Sequence, residues 1–452
     1  MRVAYLCSSL LIFAAACGGD DGHDVTPTLI PGGGVRDPGI DGEVNVYVID
    51  GDTDAPIAGA GVLVGEQEGV TDATGLFVAT GVTGPQTAAV KATGYATSVW
   101  VGLDSANVTA ALERTPAPTT RPPQAELAGT ITGWGALAAP AANHFLVGLV
   151  SYSQQRELGA KDNELEPPAG TGGIAGNVCA RAPTGPVPAC AWRVNSRAGT
   201  VQLFALIVDV DTHGTATEDD DTPMIINFAT SGVLTVASGV NQSGLALTLL
   251  PAGSTTTAQV TFGTPPTGLS ETFGVVGVDV GAAGLMQIGT VGSTTTSVVL
   301  PSLAAIPGAT YQLIAVAQEP VTDGTAAQSI VLRRGLASAS ALAAGEWLAP
   351  ATGISSDRAT VSFGRVAGAS AHTIEVDSAA GSGPATRAMS VLILDDSATV
   401  TLPTGFAPLP SGSLLVRATA IDAGASFDPQ DFQLDDLADV LARLSAETIR
   451  LN

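Results

Sequence analysis

Apolar and polar residues alternate along most of this chain in short runs, and the runs are broken by glycine, proline, asparagine and aspartate. The first run is EVNVYVID at 43–50, followed by DAPIAGAGVLVGE, VTDATGLFVATGV, AAVKATGYATSVWV and ANVTAAL. A period of two with a turn about every eight to twelve residues predicts antiparallel strands packed as a sandwich. Residues 125–251 reuse the plan at greater length, in LAGTITG, FLVGLVSY, TVQLFALIVDV, PMIINF, GVLTVASG and GLALTLL. Between Tyr152 and Thr200 the alternation stops, so 153–199 reads as a long insertion, a type of segment that is functional or disordered. One stretch has helical spacing. After Asp428-Pro429, Leu434, Leu437, Leu441 and Leu444 recur at three- and four-residue steps, with Asp435 and Asp436 early and Arg443 late. This predicts a helix over 429–445 that covers a sandwich edge, with ETIRLN as the last strand.

The second half of the chain repeats itself. Val260-Thr261-Phe262-Gly263 matches Val361-Ser362-Phe363-Gly364, and the stretch 298–319 matches 399–422. A period near one hundred residues is the size of one immunoglobulin-like or fibronectin-type sandwich. The expected fold is therefore all-β: immunoglobulin-like and transthyretin-like sandwiches in series, with one short C-terminal helix. The expected units are 42–114, 125–251 with its insertion, 252–344, and 345–452 with the helix. A Pro/Thr-rich linker, TPAPTTRPPQ at 115–124, separates the first two.

The N-terminus carries an address. Arg2 precedes a short apolar run from Leu6 to Ala16, the length of a signal-peptide core and too short to span a bilayer. The run ends Ala14-Ala15-Ala16-Cys17 before GGDDGHD, and this resembles the lipobox of bacterial lipoproteins. The resemblance implies removal of residues 1–16, lipid on Cys17, and residues 17–41 as a flexible tether to the outer membrane or cell surface. Ala14 and Ala16 also satisfy ordinary signal cleavage, which cuts at the same bond without adding lipid. The order Pro56-Ile57-Ala58-Gly59-Ala60, Thr71-Asp72-Ala73-Thr74-Gly75, then Thr93-Gly94-Tyr95 resembles the carboxypeptidase regulatory-like, transthyretin-like domain over about residues 42–113. That resemblance implies a fold and transfers no catalytic residue.

Charge and cysteines narrow the picture. Of 452 residues, 42 are acidic and 18 basic, a formal net charge of −24, and the lysines are only Lys91 and Lys161. Such a surface repels phosphate backbones, which excludes nucleic acid as a partner. Cys7 leaves with the signal and Cys17 takes the lipid, so Cys179 and Cys190 remain as a pair, expected to form a disulfide in an oxidising exported setting.

Candidate chemistry is sparse. Asp209-Val-Asp211-Thr-His213-Gly214 followed by Glu218, Asp219, Asp220 and Asp221 places oxygen ligands near calcium-loop spacing, which makes Asp209, Asp211, Glu218 and Asp220 candidate Ca2+ ligands against a solvated strand connection. Asp50-Gly-Asp52-Thr-Asp54 is a second such turn. No G-x-S-x-G or H-E-x-x-H occurs, and His23, His144, His213 and His372 assemble no Ser/His/Asp grouping by sequence. Gly170-Thr-Gly172-Gly-Ile-Ala175 fits a dinucleotide loop only without its strand–helix context. The insertion holds Arg156, Lys161, Arg181, Arg193 and Arg197 together with Trp192, a basic cluster in an acidic chain. Arg156, Lys161, Arg181, Trp192 and Arg193 are thus the candidate contact residues for a surface glycan or envelope protein. The reading is a non-enzymatic, membrane-anchored surface adhesion, scaffold or interaction module without a cofactor. The alternative is an accessory glycan-binding subunit of an extracellular hydrolase system, which convergent carboxylates in a cleft would favour.

Overall fold

A computed structural model describes residues 26–115, 123–155, 175–215, 217–292, 296–320, 325–379 and 385–451. Signal, lipidation site and the start of the tether lie outside them. The chain folds as β-sandwiches, but their order in space is not their order along the chain. One twelve-stranded sheet runs through three of the four units. Its strands, in order, are Leu285–Gly292, Glu271–Asp279, Thr310–Gln318, Gln328–Leu336, Arg443–Leu451, Leu414–Asp422, Ala371–Ser378, Thr386–Ile393, Thr97–Leu103, Gln86–Lys91, Gly61–Val64 and Gln67–Val70.

The first unit lays the last four of these strands against a five-stranded sheet: Phe432–Gln433, Gly34–Gly39, Ser105–Leu112, Asp41–Asp50 and Leu76–Thr83. Val44, Val46, Val48, Val62, Val90, Trp100 and Val108 fill the space between. The turn before Leu76 is set by Asp72, whose Oδ1 accepts hydrogen bonds from the Thr74 and Leu76 amides and the Thr74 hydroxyl. Gly75 follows at φ 79°, where a Cβ would lie 2.7 Å from the Val48 carbonyl, so the turn needs glycine on both counts. The expected tether ends earlier than residue 41. Ile30 and Val35 are buried, the Ile30 amide donates to Thr109 Oγ1, and Gly34–Gly39 is a strand between Ser105–Leu112 and the C-terminal Phe432–Gln433.

The repeat in the second half becomes a local two-fold arrangement. Strands of the third unit, in the order Leu285–Gly292, Glu271–Asp279, Thr310–Gln318, Gln328–Leu336, are mirrored in the fourth by Thr386–Ile393, Ala371–Ser378, Leu414–Asp422, Arg443–Leu451. Even the bulges correspond, at Val276/Gly277 and at Val376/Asp377. The equivalent strands Gln328–Leu336 and Arg443–Leu451 pair antiparallel, with Gln328 opposite Ala446, Ser329 opposite Ser445 and Ile330 opposite Leu444. Ser329 and Ser445 therefore sit on the pseudo-dyad. Both are fully buried; Ser445 Oγ donates to the Ala349 carbonyl, while Ser329 Oγ has no partner among the described residues.

The helix is shorter than expected, spanning Leu434–Val440 rather than 429–445. Leu434, Leu437, Leu441 and Leu444 are all buried, but Leu444 belongs to the final strand. The chain turns extended at Leu441, and Arg443 Nε bonds Asp422 Oδ2 at 2.7 Å, so ladder pairing overrides the helical spacing. Leu437 and Leu441 pack with Leu332, Ile421 and Leu444, covering the seam between the third and fourth units.

The dyad generates a prediction. Ser329→Leu should overpack the seam and cost about 1–3 kcal/mol, whereas Ser329→Ala should be neutral or stabilising because it removes an unpartnered buried hydroxyl. Urea unfolding of the two variants distinguishes these outcomes.

Candidate functional site

The second unit, which contains the basic insertion, is a seven-stranded sheet ordered Val178–Arg181, His144–Tyr152, Gly199–Asp211, Thr222–Val236, Gln242–Leu249, Ala125–Thr132, Ala191–Ser196. The part of the insertion after residue 175 is not a loop: it supplies both outermost strands. Their period of two is visible in AWRVNS, where Trp192, Val194 and Ser196 are buried while their neighbours are not. The Cys179–Cys190 disulfide joins these strands at a Cα–Cα distance of 5.3 Å, and the Arg193 amide donates to the Gly176 carbonyl at 2.8 Å. The sheet thus rolls until its edges meet and is stitched along the join. Gly148 lies beneath the stitch; a Cβ there would be 2.8 Å from Cys179 Sγ and 3.2 Å from Cys190 Sγ.

This geometry redistributes the candidate contact residues. Arg156 and Lys161 lie outside the described residues. Arg181 is buried and its Nη1 donates to the Leu137 carbonyl at 2.9 Å, and Trp192 is 2% exposed within the unit's core, so neither presents a contact surface. Arg197, also counted among the basic residues, is buried and donates to the carbonyls of Ser153, Ala198, Thr200 and Ala283, which ties the second unit to the third. Beside it the backbones of Gln154 and Leu285 exchange two hydrogen bonds of 2.8 Å. Among the described members of the set, Arg193 keeps a half-exposed guanidinium, 3.7 Å from Glu126 Oε2. The cluster looked exposed because cations usually are; here backbone carbonyls satisfy the buried ones.

The candidate metal ligands are drawn toward histidines instead of toward one another. Asp209 Oδ1 lies 3.2 Å from His144 Nδ1, and Asp211 Oδ2 lies 3.6 Å from His144 Nε2 and 3.5 Å from His213 Nδ1. Asp220 accepts a hydrogen bond from Thr215, and the Glu218 side chain is outside the described set. Among the described residues no three His, Cys, Asp or Glu side chains are placed to hold a metal ion. At the other turn, Asp50 accepts from Tyr95 Oη at 2.5 Å and Arg114 Nε at 2.6 Å. Burial opposes its charge, and these hydrogen bonds outweigh burial, so the Asp50 carboxyl is held below the ordinary aspartate value.

One further polar cluster escaped sequence reasoning because its members come from separate strands and from two units. On the fourth unit Glu375, Asp377 and Arg417 gather around Arg387, which also reaches Glu113 of the first unit at 3.6 Å. Burial pushes Glu375 up against the pull of Arg387 and Arg417, while the surrounding carboxylates raise Arg387 despite its own burial. The carboxylates converge on a guanidinium, not on an open cleft. A cavity of about 280 Å³ at the junction of the first and fourth units is lined by Gln86, Thr87, Gly102, Asp395, Thr399 and Thr401 among others. Of the histidines named from the sequence, His372 is a core residue. It is 1% exposed, its Nε2 accepts from the Val366 amide at 3.1 Å, and its Nδ1 has no partner among the described residues. Burial, helped by Arg365, lowers its pKa to about 4.

No known protein family and no curated protein sequence matches the chain. Among solved structures it is similar to a streptococcal ancillary pilin, at 12% identity over 46% of this chain and 62% of that one, with a TM-score of 0.14. It is similar to the shaft pilin spaA of Lactobacillus rhamnosus GG, at 11% identity over 47% and 98% of the two chains and a TM-score of 0.13. BcpA, the major pilin subunit of Bacillus cereus, aligns at 11% identity over 63% and 91% of the two chains with a TM-score of 0.14. Likeness at this level carries no functional argument.

Two outcomes are expected from this geometry. Reducing the disulfide should cost about 3 kcal/mol, and Gly148→Ala should destabilise the oxidised protein but much less so a Cys179→Ser/Cys190→Ser background, a coupling readable by thermal melts. Because folded His372 titrates near 4 and unfolded histidine near 6.5, protons favour the unfolded chain between those values, and stability should fall as pH drops through that window. The loss is on the order of 2 kcal/mol, and His372→Gln should narrow the gap between urea midpoints measured at pH 7.5 and 4.5.

Proposed function

We propose that the chain is a non-enzymatic cell-envelope protein that works as a surface adhesion, scaffold or interaction module. The observation that carries this reading is the continuity of the twelve-stranded sheet through three units, which makes them one braced block and not beads on a string. Among the described residues no helix is long and apolar enough to cross a membrane. The lipobox-like Ala14-Ala15-Ala16-Cys17 supports attachment through lipid on Cys17, since buried methylenes contribute about 0.8 kcal/mol each. Arg193, with Arg156 and Lys161 from the adjoining segment, is the proposed contact set for an acidic glycan or envelope protein.

The test is binding of the protein from Gly18 onward to arrays of surface glycans and envelope proteins. Selective binding weakened several-fold by Arg156→Ala/Lys161→Ala/Arg193→Ala is expected. Absence of binding to every arrayed molecule would overturn the interaction reading. For the anchor, Cys17→Ser should move the protein from the membrane fraction to the soluble one; an unchanged distribution would remove lipid attachment.

A further inference from the structure

The two ends of the twelve-stranded sheet are finished differently. At one end the edge strand Gln67–Val70 is four residues long and carries Glu68 next to Glu66. Its Gln67 reaches to the edge of the facing sheet, donating to the Thr80 carbonyl at 2.7 Å and accepting from the Thr80 amide at 3.3 Å. A short, charged, side-chain-plugged edge resists addition of another strand. At the other end Leu285–Gly292 is eight residues long, has no charge and no proline, and exposes Gln287 and Thr290. Leu285 is engaged by Gln154, but on the side away from Glu271–Asp279 no described strand pairs with Gly289–Gly292.

The pseudo-dyad shows what the equivalent edge does. Counting from the matched bulges, Gly289, Thr290, Val291 and Gly292 correspond to Met389, Ser390, Val391 and Leu392. That stretch carries a strand of the first unit in parallel, with Met389 opposite Thr97, Ser390 opposite Ser98, Val391 opposite Val99 and Leu392 opposite Trp100. The fourth unit's edge is occupied, and its twin in the third unit is open among the described residues.

We propose that the edge Gly289–Gly292 is a docking site for an extended segment of a partner protein, uncharged and rich in Thr, Ser and Val, which adds as a parallel strand as Thr97–Leu103 does at the equivalent edge. Main-chain hydrogen bonds supply affinity in such an addition, and the absence of charge at the edge sets the composition of the partner segment. This site deepens the interaction-module reading and rests on it.

The probe is a fluorescently labelled peptide TSVWVGL, the sequence of Thr97–Leu103, titrated into the protein from Gly18 onward, with a scrambled peptide as control. Saturable one-to-one binding is expected, weakened at least about ten-fold by Thr290→Lys, which places a charge on the edge. Val70→Lys at the opposite end should leave binding intact, and equal melting temperatures confirm that Thr290→Lys folds. No saturable binding, equal binding of the scrambled peptide, or binding indifferent to Thr290→Lys would each overturn the proposal. So would self-association of the protein alone that Thr290→Lys abolishes, since the occupant would then be a second copy. Array binding that survives Thr290→Lys, with no peptide binding, would leave the broader function standing and remove this edge from it.

Discussion

The pairing of Gln328–Leu336 with Arg443–Leu451 is the contact on which the rest of the architecture depends. Each of these strands ends its own unit's sheet, and an unpaired ladder of amides and carbonyls is an invitation to aggregate. Joining equivalent edges across a pseudo-dyad removes both at once. The close approach is permitted by serine on one face, where Ser329 meets Ser445, and sealed by leucine on the other, where Leu437 and Leu441 lie over Leu332 and Leu444. The segment that supplies the seal also supplies Phe432–Gln433 to the first unit's sheet, so one stretch of chain touches three units.

Polar groups finish what the ladders begin. Arg197 spends its guanidinium on four carbonyls between the second and third units. Gln430 donates to the Gly102 carbonyl and accepts from the Asp104 amide, fastening the C-terminal segment to the first unit. Lys91 donates to the Phe406 carbonyl and lies 3.9 Å from that ring's centre. Of these Arg197 is buried, and a buried group of its kind adds little net stability when satisfied but costs several kcal/mol to mispair. These contacts fix which units meet and in what register.

Much of the local structure was legible. Alternation located most strands, cysteine elimination found the disulfide, and the repeat found two like units. What alternation does not encode is which edge meets which, because a period of two specifies the face a residue takes and leaves the neighbouring strand open. For that reason the units read as a series, although the first lies against the fourth. Short strands such as VCAR hid inside the insertion, and the helix was drawn too long because Leu444 fits both a helical stripe and a strand's inner face. The candidate site fared worst: Arg181 and Trp192 were chosen by type, and type is a poor guide to exposure once backbone carbonyls are near.

The position of the last strand also bears on how the molecule is made. Thr97–Leu103 emerges early in synthesis, yet its partner Thr386–Ile393 follows roughly 290 residues later, and the third unit waits over a hundred residues for Arg443 onward. A chain made in order of sequence therefore spends most of its synthesis with these sheet edges bare. That exposure ends only when the C-terminal ladder closes, and until then the bare edges are open to mispairing.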